Sequence, residues 1–206
     1  MIKLYLARHG ETVWNTEHRF QGRMDSNLTD LGKTQSKLLN KRIKEINPDI
    51  IFTSPSGRTK QTIKIATQDL NINILEDERL YEMNFGKWEG LHFDELSETD
   101  LKLSRHLFDR PSLYVPKTGE SFKDVMERSK SFFDFLFKNY DNKTVFVMTH
   151  GMTRLVMTAY LTDVDLDTFR DEGHTVGKQT SVTYIEMNKD GKNKLLYEND
   201  DSHLID

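Results

Sequence analysis

The chain has 206 residues, and its 29 lysines and arginines against 33 aspartates and glutamates give a formal charge of −4. A chain of this length favours one well-filled domain over two, and a balanced charge without a basic run argues against nucleic acid or a membrane surface as the partner. No apolar stretch approaches the roughly 20 residues of a transmembrane helix, no signal-peptide core precedes Arg8, and cysteine is absent, so we expect a cytoplasmic protein.

Strand and helix patterns alternate along the first part of the chain. Apolar residues alternate over 2–6 as in a core strand, and apolar residues at helical spacing predict a helix over 29–46. A short buried strand follows at 49–53, then a helix that carries Arg58, and 72–75 has the pattern of another strand. This alternation predicts an α/β fold.

The segment from about 79 to 120 has no long periodic run. It contains two of the four prolines and only short helical fragments, which is typical of an irregular segment near a functional site. We interpret it as a lid-like insertion in a single domain that spans residues 1–206.

The second half of the chain shows the same alternation. A Ser-x-x-Asp capping box opens a predicted helix over 121–140, a near-continuous apolar strand follows at 144–148, and a helix is predicted over 153–161. Two further strands, at 181–187 and 194–197, are separated by an Asp-Gly turn. We therefore expect this last pair to be antiparallel.

Two of the predicted strands end in a similar way. Arg8-His9-Gly10 follows the first strand, and Thr149-His150-Gly151 follows the strand at 144–148. Ligands bind in open α/β sheets where the strands end, so we expect both histidines at one end of the sheet. Arg58 also stands where a strand passes into a helix, and the glycine at position 10 permits a tight turn close to a ligand.

These motifs belong to a longer series along the chain. The further members are Asn15, Phe20-Gln21-Gly22, Asp25, Leu28-Thr29, Gly32, Ser54-Pro55-Ser56-Gly57-Arg58, Glu82 with Phe85-Gly86-Lys87-Trp88-Glu89-Gly90, and Gly119-Glu120-Ser121. In this order and spacing they resemble the histidine phosphatase superfamily, the phosphoglycerate mutase-like enzymes, from Arg8 to about Val182. The resemblance implies a three-layer α/β/α sandwich with a mostly parallel sheet and an antiparallel edge.

Phosphoryl transfer explains why these residue types stand together. It needs an in-line nucleophile, donors for three charged oxygens and protonation of a poor leaving group. A neutral His9 would be the nucleophile, and Arg8 and Arg58 would oppose its protonation while their planar groups hold the phosphate. His150 would be a further donor to the phosphate. The resemblance makes Glu82 the acid that protonates the leaving oxygen and then activates water.

Four more residues are assigned to the substrate pocket. Asn15, Gln21 and Gly22 match family positions in the loop that closes on the phosphate, and Gly151 follows the second histidine. Two arginines can hold the phosphate and offset its charge, as magnesium does in other phosphoryl-transfer enzymes. We therefore expect no metal and no other cofactor. The expected partner is a small phosphorylated metabolite, and we expect a monomer or a homodimer.

Hydrolysis of phosphomonoesters through a phosphohistidine is the favoured function. The segment from Glu82 to Gly90 looks like the phosphatase version of its motif, and the classical mutases are longer, so phosphoglycerate mutase activity is the first alternative. A phosphate-binding pseudoenzyme is the second alternative, although such a protein would typically have lost one of the catalytic residues. The motifs of P-loop, aspartyl-phosphate and two-metal enzymes are missing from the sequence.

Two features bear on the identity of the substrate. Arg105, His106 and Arg110 in the lid could bind a second acidic group, as on a phosphoglycerate or a sugar bisphosphate. Gln179 stands where many relatives carry asparagine, which could change the pocket. The sequence thus predicts the class of substrate but does not name it.

Overall fold

Six strands form one sheet within residues 1–204, which are the residues that the computed structural model describes. The strands are β1 (Ile2–Arg8), β2 (Ile50–Thr53), β3 (Ile74–Glu76), β4 (Thr144–Thr149), β5 (Val182–Met187) and β6 (Lys194–Asp200). They lie in the order β3-β2-β4-β1-β5-β6. The first four in that order are parallel, β5 is antiparallel to β1, and β6 is antiparallel to β5. The predicted mixed sheet with an antiparallel edge is confirmed.

Six α-helices accompany the sheet within the described residues. They are α1 (Val13–Thr16), α2 (Asp30–Ile46), α3 (Gly57–Ala66), α4 (Glu98–Asp109), α5 (Phe122–Asn139) and α6 (Gly151–Thr162). Side-chain caps from Thr29 and Ser121 open α2 and α5, as their predicted starts require. α6 begins at 151 rather than at 153, β3 occupies 74–76 rather than 72–75, and α1 and α4 have no counterpart among the predicted helices. No helix within residues 1–204 is long and apolar enough to cross a membrane.

The sheet buries a different set of side chains on each face, because side chains alternate along a strand. On one face, Leu4 and Leu6 of β1 share an apolar cluster with Phe132 of α5. On the other face, Phe146 of β4 shares a cluster with Ile43 of α2. Helices therefore cover both faces, which gives the three layers that the resemblance implies.

Residues 79–120, the predicted lid, share an apolar cluster with other parts of the chain. The segment contains α4 and several short 3₁₀ turns. Its buried side chains include Trp88, Leu107 and Tyr114, which share one cluster with Val156 of α6. The segment is therefore joined to the rest of the molecule by apolar packing as well as by the chain itself.

Strand pairing determines where the site is built. β4 lies between β1 and β2 and is parallel to both. Just beyond the strands, the His9 N–H donates to Thr149 O at 3.1 Å, and the Ser54 N–H donates to Met148 O at 3.0 Å. The residues that follow these parallel strands therefore leave the sheet side by side, at the edge where α/β proteins bind ligands.

Candidate active site

Two histidines meet at this end of the sheet, one after β1 and one after β4. The rings of His9 and His150 lie 5.3 Å apart between centroids, at 62° to each other. His9 is 3% exposed and His150 is fully buried. The structure thus brings together the two histidines that the sequence predicted at one end of the sheet.

Two neighbours determine where His9 carries its hydrogen. Nδ1 lies 2.8 Å from the carbonyl oxygen of Gly10, which can only accept, so the hydrogen is on Nδ1. Nε2 then holds a lone pair, and the Arg58 Nε–H donates to it at 3.3 Å. Burial lowers the pKa of His9 well below its ordinary value of 6.5, and the charges of Arg58 and Arg8 lower it further. A neutral imidazole with a lone pair is a competent nucleophile at neutral pH.

Arg58 lies in the first turn of α3 with only 1% of its surface exposed. Its Nη1 donates to Met24 O at 2.7 Å and to Asp25 Oδ1 at 2.8 Å, and its Nη2 donates to Gly22 O at 2.7 Å. The Asp25 carboxylate also accepts from the first two backbone N–H groups of α3. The Arg58 guanidinium therefore links the loop 22–25 to His9.

Two side-chain nitrogens near His9 have no hydrogen-bond partner within residues 1–204. They are Nε of Arg8 and Nδ1 of His150, both buried without a hydrogen-bond partner. Nη1 of Arg8 is engaged, since it donates to Gly177 O at 3.1 Å. Burial and nearby cations lower the pKa of His150 well below 6.5, and its Nε2 lies 2.8 Å from the Ser54 hydroxyl oxygen. The Arg8 Nε–H is a buried donor without an acceptor, and a neutral His150 with its hydrogen on Nδ1 would be a second, so this corner is suited to the oxygens of an anion.

Glu82 is held by the start of α6 and is only 7% exposed. Its Oε1 accepts from the backbone N–H of Met83 at 2.9 Å and of Thr153 at 3.0 Å, and its Oε2 accepts from the N–H of Met152 at 3.2 Å. The last two donors belong to the first turn of α6, where unpaired N–H groups and the helix dipole attract a carboxylate. The helix that follows His150 therefore positions Glu82.

A cavity of about 190 Å³ opens beside these groups. Eight of the nine predicted site residues line it, namely Arg8, His9, Asn15, Gln21, Gly22, Arg58, Glu82 and Gly151. The ninth, His150, is not in the lining and reaches the site through its contact with His9. The rest of the lining is Arg19 and an apolar wall made of Phe20, Phe85, Leu107, Phe108, Met152 and Val176.

The predicted cationic group of the lid does not reach this cavity. α4 presents Leu107 and Phe108 to it, whereas Arg105, His106 and Arg110 are absent from the lining. Neighbouring residues point to different sides of a helix, so charge placement along the sequence does not indicate which side faces the substrate. The geometry does not support binding of a second acidic group by these three residues in this cavity.

Several residues that build the site were missed by the sequence analysis. Phe20 and Phe85 of the apolar wall stand in the motif series without a role in the pocket, and the rest of the wall comes from separate segments without a common spacing, so no local pattern marks it. Thr153 supports Glu82 through a contact between distant parts of the chain. Ser54 did carry a signal, because it directly follows a strand at the ligand-binding edge. Gln179 does not line the cavity.

Gly10 is required for packing rather than for a turn. Its φ is not among the positive values of the chain. A Cβ atom on Gly10 would lie 2.7 Å from the carbonyl oxygen of Gly32 in α2. The prediction that Gly10 provides a tight turn is therefore wrong, and the glycine instead lets the end of β1 approach α2.

The donor set indicates which ligand the cavity suits. Within residues 1–204, no group of three or more His, Asp or Glu side chains is placed to hold a metal ion. Two guanidinium groups and two neutral imidazoles meet there instead, and planar guanidinium groups match the geometry and charge of a phosphoryl group. The arrangement is therefore suited to binding a phosphate dianion.

Comparison with known proteins agrees with this geometry. The profile of the "Histidine phosphatase superfamily (branch 1)" matches residues 4–200. "Phosphoserine phosphatase 1" of Hydrogenobacter thermophilus is 32% identical over 204 residues, which are 99% of this chain and 95% of that protein. "Probable phosphoglycerate mutase GpmB" of Cronobacter sakazakii is 36% identical over 153 residues, 74% of this chain and 71% of that protein.

Solved structures show the same likeness over the whole chain. The structure of "Bacillus stearothermophilus YhfR" superposes with a TM-score of 0.92 at 37% identity, and the alignment covers 99% of this chain and 100% of that one. The family match over 4–200 and relatives of this similarity together establish the family of the chain. The chain belongs to the histidine phosphatase superfamily, branch 1.

Proposed function

We propose that this chain hydrolyses phosphomonoesters of small metabolites through a phosphohistidine formed on His9. The observation that carries the proposal is the neutral His9 imidazole, whose Nε2 faces the Arg58 guanidinium in a cavity that Glu82 also lines. Cations around an uncharged nucleophile offset the charge of a phosphate dianion and at the same time keep the imidazole unprotonated.

In the first step, the Arg58 Nε–H turns from His9 Nε2 to an oxygen of the bound phosphate, the freed lone pair attacks phosphorus, and the bond between phosphorus and the ester oxygen breaks. Glu82 gives its proton to that oxygen, so the alcohol leaves without charge. Arg8 and Arg58 donate to the equatorial oxygens, which supplies an acceptor for Arg8 Nε, and the His150 ring, with its hydrogen on Nδ1, is the proposed further donor. Charge-assisted hydrogen bonds of this kind contribute roughly 1.5–3 kcal/mol each.

In the second step, the ionised Glu82 takes a proton from a water molecule while the water oxygen attacks phosphorus. The bond between phosphorus and His9 Nε2 breaks, its electron pair returns to the imidazole, and inorganic phosphate leaves. Hydrogen bonds from the first turn of α6 hold the Glu82 side chain for both proton transfers. Water is the sole co-reactant.

Hydrolysis is favoured over mutase activity by the outer part of the cavity. A mutase must retain a bisphosphate and exclude water, which requires cations for a second phosphate. Beyond Arg8 and Arg58 the lining holds one further cation, Arg19, and Glu17 and Glu95 pair with it at 2.8 and 3.2 Å. Similarity to a probable phosphoglycerate mutase makes that activity the second candidate.

The apolar wall supports a preference for substrates whose group beyond the phosphate is apolar. Six of the seven lining residues outside the predicted site belong to this wall. One relative is a phosphoserine phosphatase, so phosphoserine is a suitable polar reference substrate. We infer that a substrate with an apolar group gains more from this cavity than phosphoserine does.

The remaining parts of the proposal concern the whole chain. The described residues, 1–204, form one domain, and 79–120 act as a lid whose Leu107 and Phe108 cover the substrate. The lining of the cavity by these two side chains supports that role. The absence of cysteine supports a cytoplasmic location, and the protein works as a monomer or a homodimer.

Phosphate release should resist chelation and depend on His9. We expect the native chain to release phosphate from a panel of phosphomonoesters in excess chelator, and His9→Ala to release none above background, because alanine has no lone pair for phosphorus. A phosphate assay on both proteins checks this, with His106→Ala as the matched control for a histidine outside the cavity. An active His9→Ala would place the nucleophile elsewhere. Phosphate binding without release by the native chain would favour a pseudoenzyme.

Glu82→Gln should separate phosphate binding from turnover. Glutamine keeps an acceptor oxygen for the N–H groups of α6 but has no acidic proton, so we expect kcat to fall about 10²–10⁴-fold. The Kd of inorganic phosphate, measured by calorimetry, should not increase. Glu78→Gln, a change at an exposed carboxylate nearby, serves as the control. An unchanged kcat in Glu82→Gln would assign the proton transfer to another group.

The pH profile should report the lowered pKa of His9. Neutral His9 is the attacking form, so protonation of His9 should not reduce kcat/KM as the pH falls through 6.5. In Arg8→Gln one positive charge is gone and the pKa of His9 rises, so the acid limb moves to higher pH. The ratio of variant to native kcat/KM, in which substrate ionisation cancels, should therefore fall as the pH is lowered. A ratio that does not change with pH would contradict this account.

Substrate preference should depend on the apolar wall. Benzyl phosphate and phosphoserine are both alkyl phosphates, and burial of the benzyl ring should gain about 1.5–3 kcal/mol, so we expect a kcat/KM about tenfold or more higher for benzyl phosphate. Phe108→Ala should reduce this preference, and Arg105→Ala, on the same helix but outside the cavity, should not. A selective loss of phosphoserine hydrolysis in Arg105→Ala would instead show that Arg105 contributes to substrate binding.

A further inference from the structure

Arg154 is a buried cation that the proposed reaction does not use. It lies on α6, four residues after His150, with 2% of its surface exposed and no place in the cavity lining. Burial, and then the charge of Arg8, lowers the pKa of Arg154 to about 9, so it is charged at neutral pH. A buried guanidinium is tolerated only where its N–H groups find acceptors.

The acceptors of Arg154 lie at both ends of one short segment, residues 176–181, which we call the strap. Its Nη1 donates to Ser181 O at 2.9 Å and to Ser181 Oγ at 3.1 Å. Its Nη2 donates to Val176 O and, at 2.5 Å, to Asn199 Oδ1 on β6. A single planar side chain therefore holds the two ends of the strap together.

The strap in turn touches Arg8 at two points. Gly177 O accepts from Arg8 Nη1 at 3.1 Å, and the Thr180 N–H donates to Arg8 O at 3.1 Å. The first contact fixes the guanidinium and the second fixes the end of β1. The strap thus links Arg154 to the side chain that the proposed reaction needs for the phosphate.

The backbone of the strap adopts angles that need support from its surroundings. Thr180 is buried and β-branched, yet its φ is +59°. Such a conformation costs of the order of 1–3 kcal/mol and persists where neighbouring contacts determine it. Gly177 has a φ of +70°, and a Cβ there would overlap Asn199 Oδ1 and Arg154 Nη2. The strap therefore fits closely around the Arg154 guanidinium.

We propose that Arg154 is a positioning residue, which fixes the strap so that the Gly177 carbonyl aligns the Arg8 guanidinium for the phosphate. The inference rests on the proposed function for the purpose of the alignment, but the contacts are independent of turnover. Nη1 of Arg8 is held by the strap while its Nε is left without a partner among the described residues. Arg154 acts through Arg8 and does not touch the substrate.

Arg154→Lys tests this role, because one ammonium group keeps the charge but cannot reach both ends of the strap in the planar geometry. We expect the Kd of inorganic phosphate to rise about tenfold, the loss of one charge-assisted hydrogen bond, and kcat/KM to fall at least as much. Arg42→Lys is the matched control. Arg42 donates to Tyr197 and Asp200 of β6 without contacting the strap, so its Kd for phosphate should stay native.

A double-mutant cycle separates positioning from general support of the fold. In the Arg8→Ala background, Arg154→Lys should change the Kd of phosphate less than about twofold, because its effect passes through the missing guanidinium. The same tenfold loss with and without Arg8 would overturn the inference. If Arg154→Lys does not fold, Asn199→Gly removes one partner of Arg154 at a residue with a φ of +56°, which glycine adopts readily, and the same comparison applies.

Binding and turnover are measured separately so that the two proposals can fail separately. If the native chain binds phosphate but hydrolyses nothing, the proposed function is wrong and the cycle still decides the role of Arg154. If Arg154→Lys binds phosphate as tightly as the native chain, the positioning role is wrong whatever the turnover. If the native chain neither binds nor releases phosphate, both proposals are overturned.

Discussion

Buried positive charge is the constraint on which the rest of this structure depends. Arg58 and Arg154 are 1% and 2% exposed, in a chain whose formal charge is −4. Removing a guanidinium from water is costly unless its N–H groups find acceptors, and irregular chain supplies backbone carbonyls most freely because its carbonyls are not used in helices or sheets. The loop 22–25 accordingly surrounds one of these side chains, and residues 176–181 surround the other. The loops of the site are therefore shaped by the cations that they enclose.

The same charges connect the fold with the chemistry. Parallel strands bring His9 and His150 to one edge of the sheet, and burial with nearby cations keeps both imidazoles neutral. Neutral histidine has a lone pair on one ring nitrogen and a hydrogen on the other, and the Gly10 carbonyl places the hydrogen of His9 on Nδ1, which leaves the lone pair on Nε2. His9 is thereby suited to attack phosphorus. The backbone carbonyl beside it, rather than the imidazole alone, determines which nitrogen faces the Arg58 guanidinium.

The site residues that could be predicted from the sequence are those that directly follow the strands. His9 and His150 could be placed together because each follows an apolar strand and parallel strands end at one edge, and the starts of α2 and α5 could be predicted because capping is local. Glu82 was found only through the family resemblance, since it is held by N–H groups of a helix far along the chain. The orientation of α4 depends on packing, so Arg105 attracted notice by its charge while Leu107 faces the cavity.

The placement of cations inside an acidic chain also affects how a substrate arrives. The formal charge of −4 repels an approaching anion at long range, and salt screens this repulsion beyond about 8 Å, the Debye length at physiological ionic strength. Polyanions such as nucleoside triphosphates or RNA are repelled more strongly outside and gain little more inside. Salt screens exposed charges more than buried ones, so added salt weakens this outer repulsion more than the inner attraction. Long-range repulsion therefore grows with the charge of the ligand and is smallest for a ligand that carries a single phosphate group.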